Sequence, residues 1–174
     1  MFLDRLFRPR PAKAAGGELY LQAAAQARRS ALYLAMHVPD TREGRFELYT
    51  LHVILLVERL KGQGEQAAET SQAVFDAYVR GLDDAFRELG VGDMSVGKKV
   101  KKLGQAFYGR LRAYDAAFAT LPCRKELEAV IGRTIGDGAD AVALADYVLG
   151  ARDHLAAQPL DQLLSGSVTW PALS

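Results

Sequence analysis

From Val96 to Leu121 the sequence places Val96, Val100, Leu103, Phe107, Leu111, Tyr114, Phe118 and Leu121 at successive steps of four and three. At 100° per residue these side chains fall in a stripe roughly 80° wide, the mark of one amphipathic helix about seven turns long. Such a stripe has to be buried against other elements. The rest of the chain offers helices for the purpose and no alternating strand pattern. An alanine-rich segment runs from Glu18 to about His37 and is closed by "HVPD", because the residue before Pro39 avoids the α region. Glu43 to Gly62 is the most apolar helix, and Gln66 to Leu89 follows with Val74, Tyr78, Leu82, Phe86 and Leu89 at helical spacing. Shorter helices are expected near 123–135, 139–156 and 159–165. No repeat of fixed period is present. The expected fold is all-α, a single compact domain of six to eight helices over 18–165. Residues 1–17 read as a basic N-terminal tail and linker, and 166–174 as a C-terminal tail.

Composition excludes several functions. Among 174 residues, 22 bases face 21 acids, so no global field attracts DNA or RNA. The single cysteine, Cys123, rules out an internal disulfide and a cysteine-rich zinc site, and reads as packing rather than a reactive thiol. The apolar run Val53–Val57 is far short of the roughly 20 residues of a spanning helix. "MFLDRLFRPR" lacks the apolar core of a secretory signal, so the chain reads as cytoplasmic. His37, His52 and His154 are not spaced as metal ligands on one helix face, and no nucleophile elbow, Walker loop or dinucleotide fingerprint occurs. No catalytic residue, metal site or cofactor is expected; the chain reads as a binder and not an enzyme. "GVGD" at 90–93 lies between helices with no preceding strand, so its role is geometric. Gly90 and Gly92 tolerate positive φ, and Asp93 or Ser95 can cap the helix that follows.

Opposite the apolar stripe lie Lys98, Lys101, Lys102, Gln105, Tyr108 and Arg112, with Lys99 at one flank. From Asp93 to Arg112 there are six bases and one acid, whereas Asp76–Glu88 carries four acids and two bases. The lysines are open to three readings: a solvated helix face, a nucleic-acid patch, or a surface for a membrane or protein partner. Gly97, Gly104 and Gly109 each cost about 1 kcal/mol inside a helix. Gly97 and Gly104 fall on one side, where a face without Cβ atoms admits another backbone. Arg110 sits in the apolar flank, where a lone charge is costly, and so requires an acid from another helix. His52, on the apolar face of the 43–62 helix, is either a satisfied core residue or a polar contact at the floor of a groove. Tyr33 and Tyr108 are candidate contacts for a partner. In the N-terminal ten residues, Phe2, Arg5, Leu6, Phe7 and Arg8 suit either a disordered tail or a short basic amphipathic contact with an anionic membrane.

"RELGVGDMSVGKKVKKLGQAFYGRLRAYDAAF", with the upstream "HVPDTREGRFELYTLHVILLVERL", resembles the ubiquinol–cytochrome c reductase chaperone family, over about Leu32–Phe118. The resemblance implies a bacterial member of a family of assembly factors for the cytochrome bc1 complex. It implies an all-helical domain that binds newly made cytochrome b. Mitochondrial members work with a small helical partner and dock near the ribosomal exit tunnel. The expected function is therefore a cytochrome b chaperone in the cytoplasm, peripheral on the cytoplasmic face of the inner membrane. The alternative is a ribosome- or RNA-binding adaptor acting through the basic face at 98–112.

Overall fold

Eight α-helices follow one another among the described residues: α1 (Pro11–Ala27), α2 (Ser30–Leu34), α3 (Arg42–Leu60), α4 (Glu65–Glu88), α5 (Asp93–Ala119), α6 (Lys125–Ile135), α7 (Ala141–Ala157) and α8 (Leu160–Leu164). The computed structural model describes residues 11–90, 92–136 and 138–173; the expected membrane contacts Phe2, Arg5, Leu6, Phe7 and Arg8 lie outside them. The fold is all-α, as the periodicity predicts.

Helix α3 is the axis. Leu48, Leu51, Val53, Ile54, Leu55, Leu56 and Leu60 are each at most 1% exposed, and they point to every side of the helix. A helix apolar all round has to be enclosed, and α1, α4, α5, α6 and α7 all pack against it. Each enclosed leucine contributes about 1.5–3 kcal/mol. Thr41 starts α3, its hydroxyl accepting the Gly44 N–H at 3.1 Å. After Leu60, Gly62 and Gly64 turn the chain with φ of +74° and +99° into α4.

Three expectations are corrected here. Helix α1 begins at Pro11, so residues 11–17 are not a linker. Their glycines are held helical by burial of Ala12, Ala15, Gly16 and Leu19 rather than by propensity. At Gly16 the close approach is required, since a Cβ would stand 2.5 Å from Ala73 Cβ and 2.7 Å from the Val74 nitrogen of α4. The alanine-rich stretch is also two helices and not one. Arg29 is extended, Leu32 anchors α2 in the core, and the Tyr33 hydroxyl donates to the Ala27 carbonyl at 2.9 Å, satisfying the frayed end of α1. Finally, residues 166–173 lie against the helices instead of forming a free tail, with Val168 buried.

Between α4 and α5, Gly90 has φ of +74° and stops α4 as expected. Gly92 does not need positive φ; it is the N-cap of α5, with φ of −62°, and no side chain caps that end. Asp93 is already the first residue of the helix and Ser95 the third, so neither occupies the cap.

The apolar stripe of α5 is buried unevenly. Val96, Phe107 and Tyr114 are 0–2% exposed, whereas Val100, Leu103, Leu111 and Phe118 are half-buried. Phe107 packs with Phe75 and Tyr78 at ring-centroid distances of 5.0 and 5.4 Å. Leu103 instead faces a groove where α3, α4 and α5 diverge. Phe107→Ala should therefore lower the unfolding free energy by about 3–5 kcal/mol, and Leu103→Ala by about 1 kcal/mol, because only the first removes a fully buried side chain. Denaturant titration of both variants checks the contrast; equal losses would place Leu103 in the core.

Candidate binding surface on helix α5

Lys98, Lys101, Lys102 and Arg112 are exposed along the outer face of α5, as the wheel predicts. Among the described residues none of these four cations takes part in an ion pair. Lys99 is different: its ammonium lies over the Phe86 ring, 5.6 Å from the centroid. The glycines on this helix do not serve close packing within the molecule. A Cβ at Gly97, Gly104 or Gly109 would meet nothing within 4 Å, so the expected close approach of another backbone is absent from this chain.

An apolar groove lies on either side of this basic ridge. On the Lys99 side, α3, the C-terminal half of α4 and α5 enclose about 560 Å³ lined by Phe46, Leu82, Ala85, Phe86, Leu89 and Leu103, with Arg42 and Arg45 at the rim. Leu89 is 54% exposed there. On the other side, Val57, Leu60, Phe75, Phe107, Tyr108 and Leu111 line a smaller groove of about 310 Å³. Tyr108, 46% exposed, stands at its edge with its ring 5.2 Å from Phe75. Sequence reasoning missed Phe46, Phe75, Leu82, Phe86 and Leu89 as surface residues. Each sits on the inward stripe of its own helix, and only the divergence of the helices opens them to solvent.

Arg110 has the acid partner it requires. Its Nε donates to Glu47 Oε2 at 2.6 Å, and Nη2 donates to the other carboxylate oxygen. A further N–H reaches the Ala106 carbonyl at 3.3 Å, and the guanidinium lies 5.4 Å from the Phe46 ring centroid. Burial pushes the Glu47 carboxyl above the usual range, while the Arg110 fork pulls it back toward the ionised form. The same bond raises Arg110 further. The pair forms part of the floor of the larger groove and ties α5 to α3.

His52 lines neither groove. It is fully buried, which corrects its expected role as a partner contact. Its Nδ1–H donates to the Leu48 carbonyl at 2.7 Å, so Nε2 accepts from the Tyr147 hydroxyl, also at 2.7 Å. Gln26 in turn donates to Tyr147 at 3.1 Å. The imidazole is a satisfied core group whose pKa burial lowers to about 4. Tyr33 is half-buried on α2, which lines neither groove.

Two comparisons decide what kind of protein carries this surface. Residues 34–170 match the profile of a family described as ubiquinol-cytochrome C chaperone. The chain belongs to that family. A crystal structure of the Cbp3 homolog from Brucella abortus is similar to it, with a TM-score of 0.85 and 33% sequence identity over 99% of this chain and 98% of the other. No curated protein matches the sequence. The alternative of a ribosome or RNA adaptor gains no support from these likenesses. Among the described residues, no helix of the chaperone is long and apolar enough to cross a membrane, and no group of three or more His, Cys, Asp and Glu side chains could hold a metal.

Arg110→Ala should cost about 3 kcal/mol, because it leaves a buried carboxylate unpaired while Arg110 itself is 24% exposed. Thermal and denaturant unfolding measure it; a loss under 1 kcal/mol would make the pair dispensable. For His52 the folded pKa of about 4 lies below the unfolded value of 6.5, so the unfolded chain binds the proton first as pH falls. Its contribution is intact above pH 6.5 and is lost between 6.5 and 4, by about 3 kcal/mol in all. The stability difference between the native chain and His52→Gln should shrink by that amount over the same window.

Proposed function

We propose that this member of the ubiquinol–cytochrome c chaperone family binds cytochrome b while the cytochrome bc1 complex is assembled, and that helix α5 carries the contact. The observation that supports this is the arrangement on α5: a ridge of unpaired cations between two apolar grooves. An integral membrane client presents apolar helices joined by polar loops. The groove of Phe46, Leu82, Phe86, Leu89 and Leu103 suits an apolar helix surface, and burial of apolar area would supply most of the affinity. Lys98, Lys101, Lys102 and Arg112 would meet acidic loops beside it, adding rate and orientation more than affinity. Tyr108, rigid and half-exposed at the edge of the second groove, is the natural anchor.

The protein acts on this reading by holding its client and not by catalysis, at the cytoplasmic face of the membrane into which the client inserts. Any small helical partner would compete for, or extend, the same two grooves. No cofactor enters the mechanism.

Replacing Lys98, Lys101 and Lys102 by glutamate should leave stability within about 0.5 kcal/mol, since exposed unpaired charges contribute little. In cells the same triple variant should lower the level of assembled bc1 complex several-fold at normal chaperone level. Tyr108→Ala should do likewise. Immunoblotting of the chaperone together with spectroscopic assay of bc1 separates the two effects. Normal assembly with the triple variant would remove the ridge from the function.

A further inference from the structure

Beyond α8 the chain turns at Gly166, where φ is +89° and a Cβ would stand 3.0 Å from Ala15 Cα. From there to Leu173 it has no regular structure, and it crosses from α1 to the end of α7. Val168 is buried, Thr169 is exposed, and Trp170 turns in to meet His52 edge-on at 5.0 Å. That in–out alternation is the pattern of an extended segment.

Side-chain amides hold this strap by its backbone. Gln22 of α1 accepts from the Val168 N–H at 3.0 Å and donates to the Gly166 carbonyl at 2.8 Å. Gln158 accepts from the Thr169 N–H at 2.8 Å and donates to the carbonyl of the same residue at 3.0 Å. Gln26 reaches the Pro171 carbonyl at 3.5 Å. Bonds to backbone are blind to sequence, so selectivity rests mainly on the two inward side chains, Val168 and Trp170, with the Thr169 hydroxyl bonded to His154 Nε2 at 3.0 Å. The anchor is imperfect: the Trp170 Nε1–H is buried with no acceptor among the described residues. An unpaired buried donor disfavours the docked strap relative to a released one, whose indole can bond to water. The strap is thus tied by side-chain amides, half-buried at Gln22 and buried at Gln26 and Gln158, and penalised at its tryptophan.

We propose that the seam between α1 and α7 is a binding site for an extended peptide, one with a small apolar residue followed two positions later by an aromatic. Residues 166–173 are its occupant in cis, and they detach as a unit without global unfolding. Release uncovers the sites of Val168 and Trp170 and the His52–Tyr147 pair. The site is independent of the surface assigned to cytochrome b, which lies on α5.

The test has two parts. In the native chain, hydrogen exchange of the Val168 and Thr169 amides should be at least 100-fold faster than that of α3 core amides, and insensitive to low denaturant. In the full chain carrying Val168→Asp and Trp170→Ala, which then contains no tryptophan, the synthetic peptide GSVTWPALS should bind saturably with a blue shift of its indole emission. Adding Gln22→Ala and Gln158→Ala should weaken that binding at least tenfold. Strap amides that exchange only through global unfolding overturn the proposal. So does local opening with no saturable peptide binding.

Discussion

The enclosure of α3 is the constraint on which the rest of the structure depends. Leu48, Leu51, Val53, Ile54, Leu55 and Leu56 leave that helix no face that can remain in water. Five other helices are therefore committed to covering it; α4 to α7 follow one another around it through short connections, and α1 closes the set against α4. Where the cover is complete, as at Tyr78 and Tyr114, the chain has a core. Where the covering helices diverge, half-buried side chains such as Leu103 and Phe86 become groove walls. The candidate binding surface is in this sense a by-product of how α4 and α5 close over α3.

The buried polar groups of α3 choose among the ways it could be covered. Thr50 bonds the Tyr78 hydroxyl of α4 at 2.9 Å, Glu47 takes the Arg110 fork of α5, and His52 takes Tyr147 of α7. Apolar contacts tolerate sliding by a turn; these three bonds do not, because a shifted register would leave a buried acceptor or donor unmet. Three of the five covering helices, α4, α5 and α7, are thus each fixed by at least one polar contact set within a larger apolar area. The Glu47–Arg110 pair has a second consequence, since it carries charge to the floor of the larger groove without leaving it unpaired.

On the outside the same helix α5 presents the opposite chemistry. Among the described residues four cations stand there without an ion pair, whereas Arg45 pairs with Asp40 and Lys61 of the α3–α4 turn with Asp115. Screening confines the field of those cations to about 8–10 Å in physiological salt, so they act at contact and orient a partner already near. Apolar grooves on both flanks give such a partner something to bury. On the proposed reading, a membrane-protein client would need that pairing of apolar capture and polar orientation.

How much the sequence determined follows from what periodicity encodes. A wheel says which side of a helix is dry, and so the helical class, the inward stripe of α5, the exposure of Lys98, Lys101 and Lys102 and the need of Arg110 for an acid were all legible. The stop at Gly90 was legible too, because it depends on local backbone chemistry alone. A wheel does not say what a dry side meets. Whether Phe86 and Leu103 close on each other or frame a groove depends on the angle between α4 and α5. Whether His52 reaches solvent depends on Tyr147 and Trp170, which are about a hundred residues away in the chain. The helical start at Pro11 was decided by contact as well, since Gly16 and Gly17 discourage a helix until Ala73 and Val74 of α4 are pressed against it. The sequence by itself settled the helical class and the faces of the long helices; tertiary packing settled the start of α1, the partners, the grooves and the strap, because those depend on distances between segments that no local pattern records.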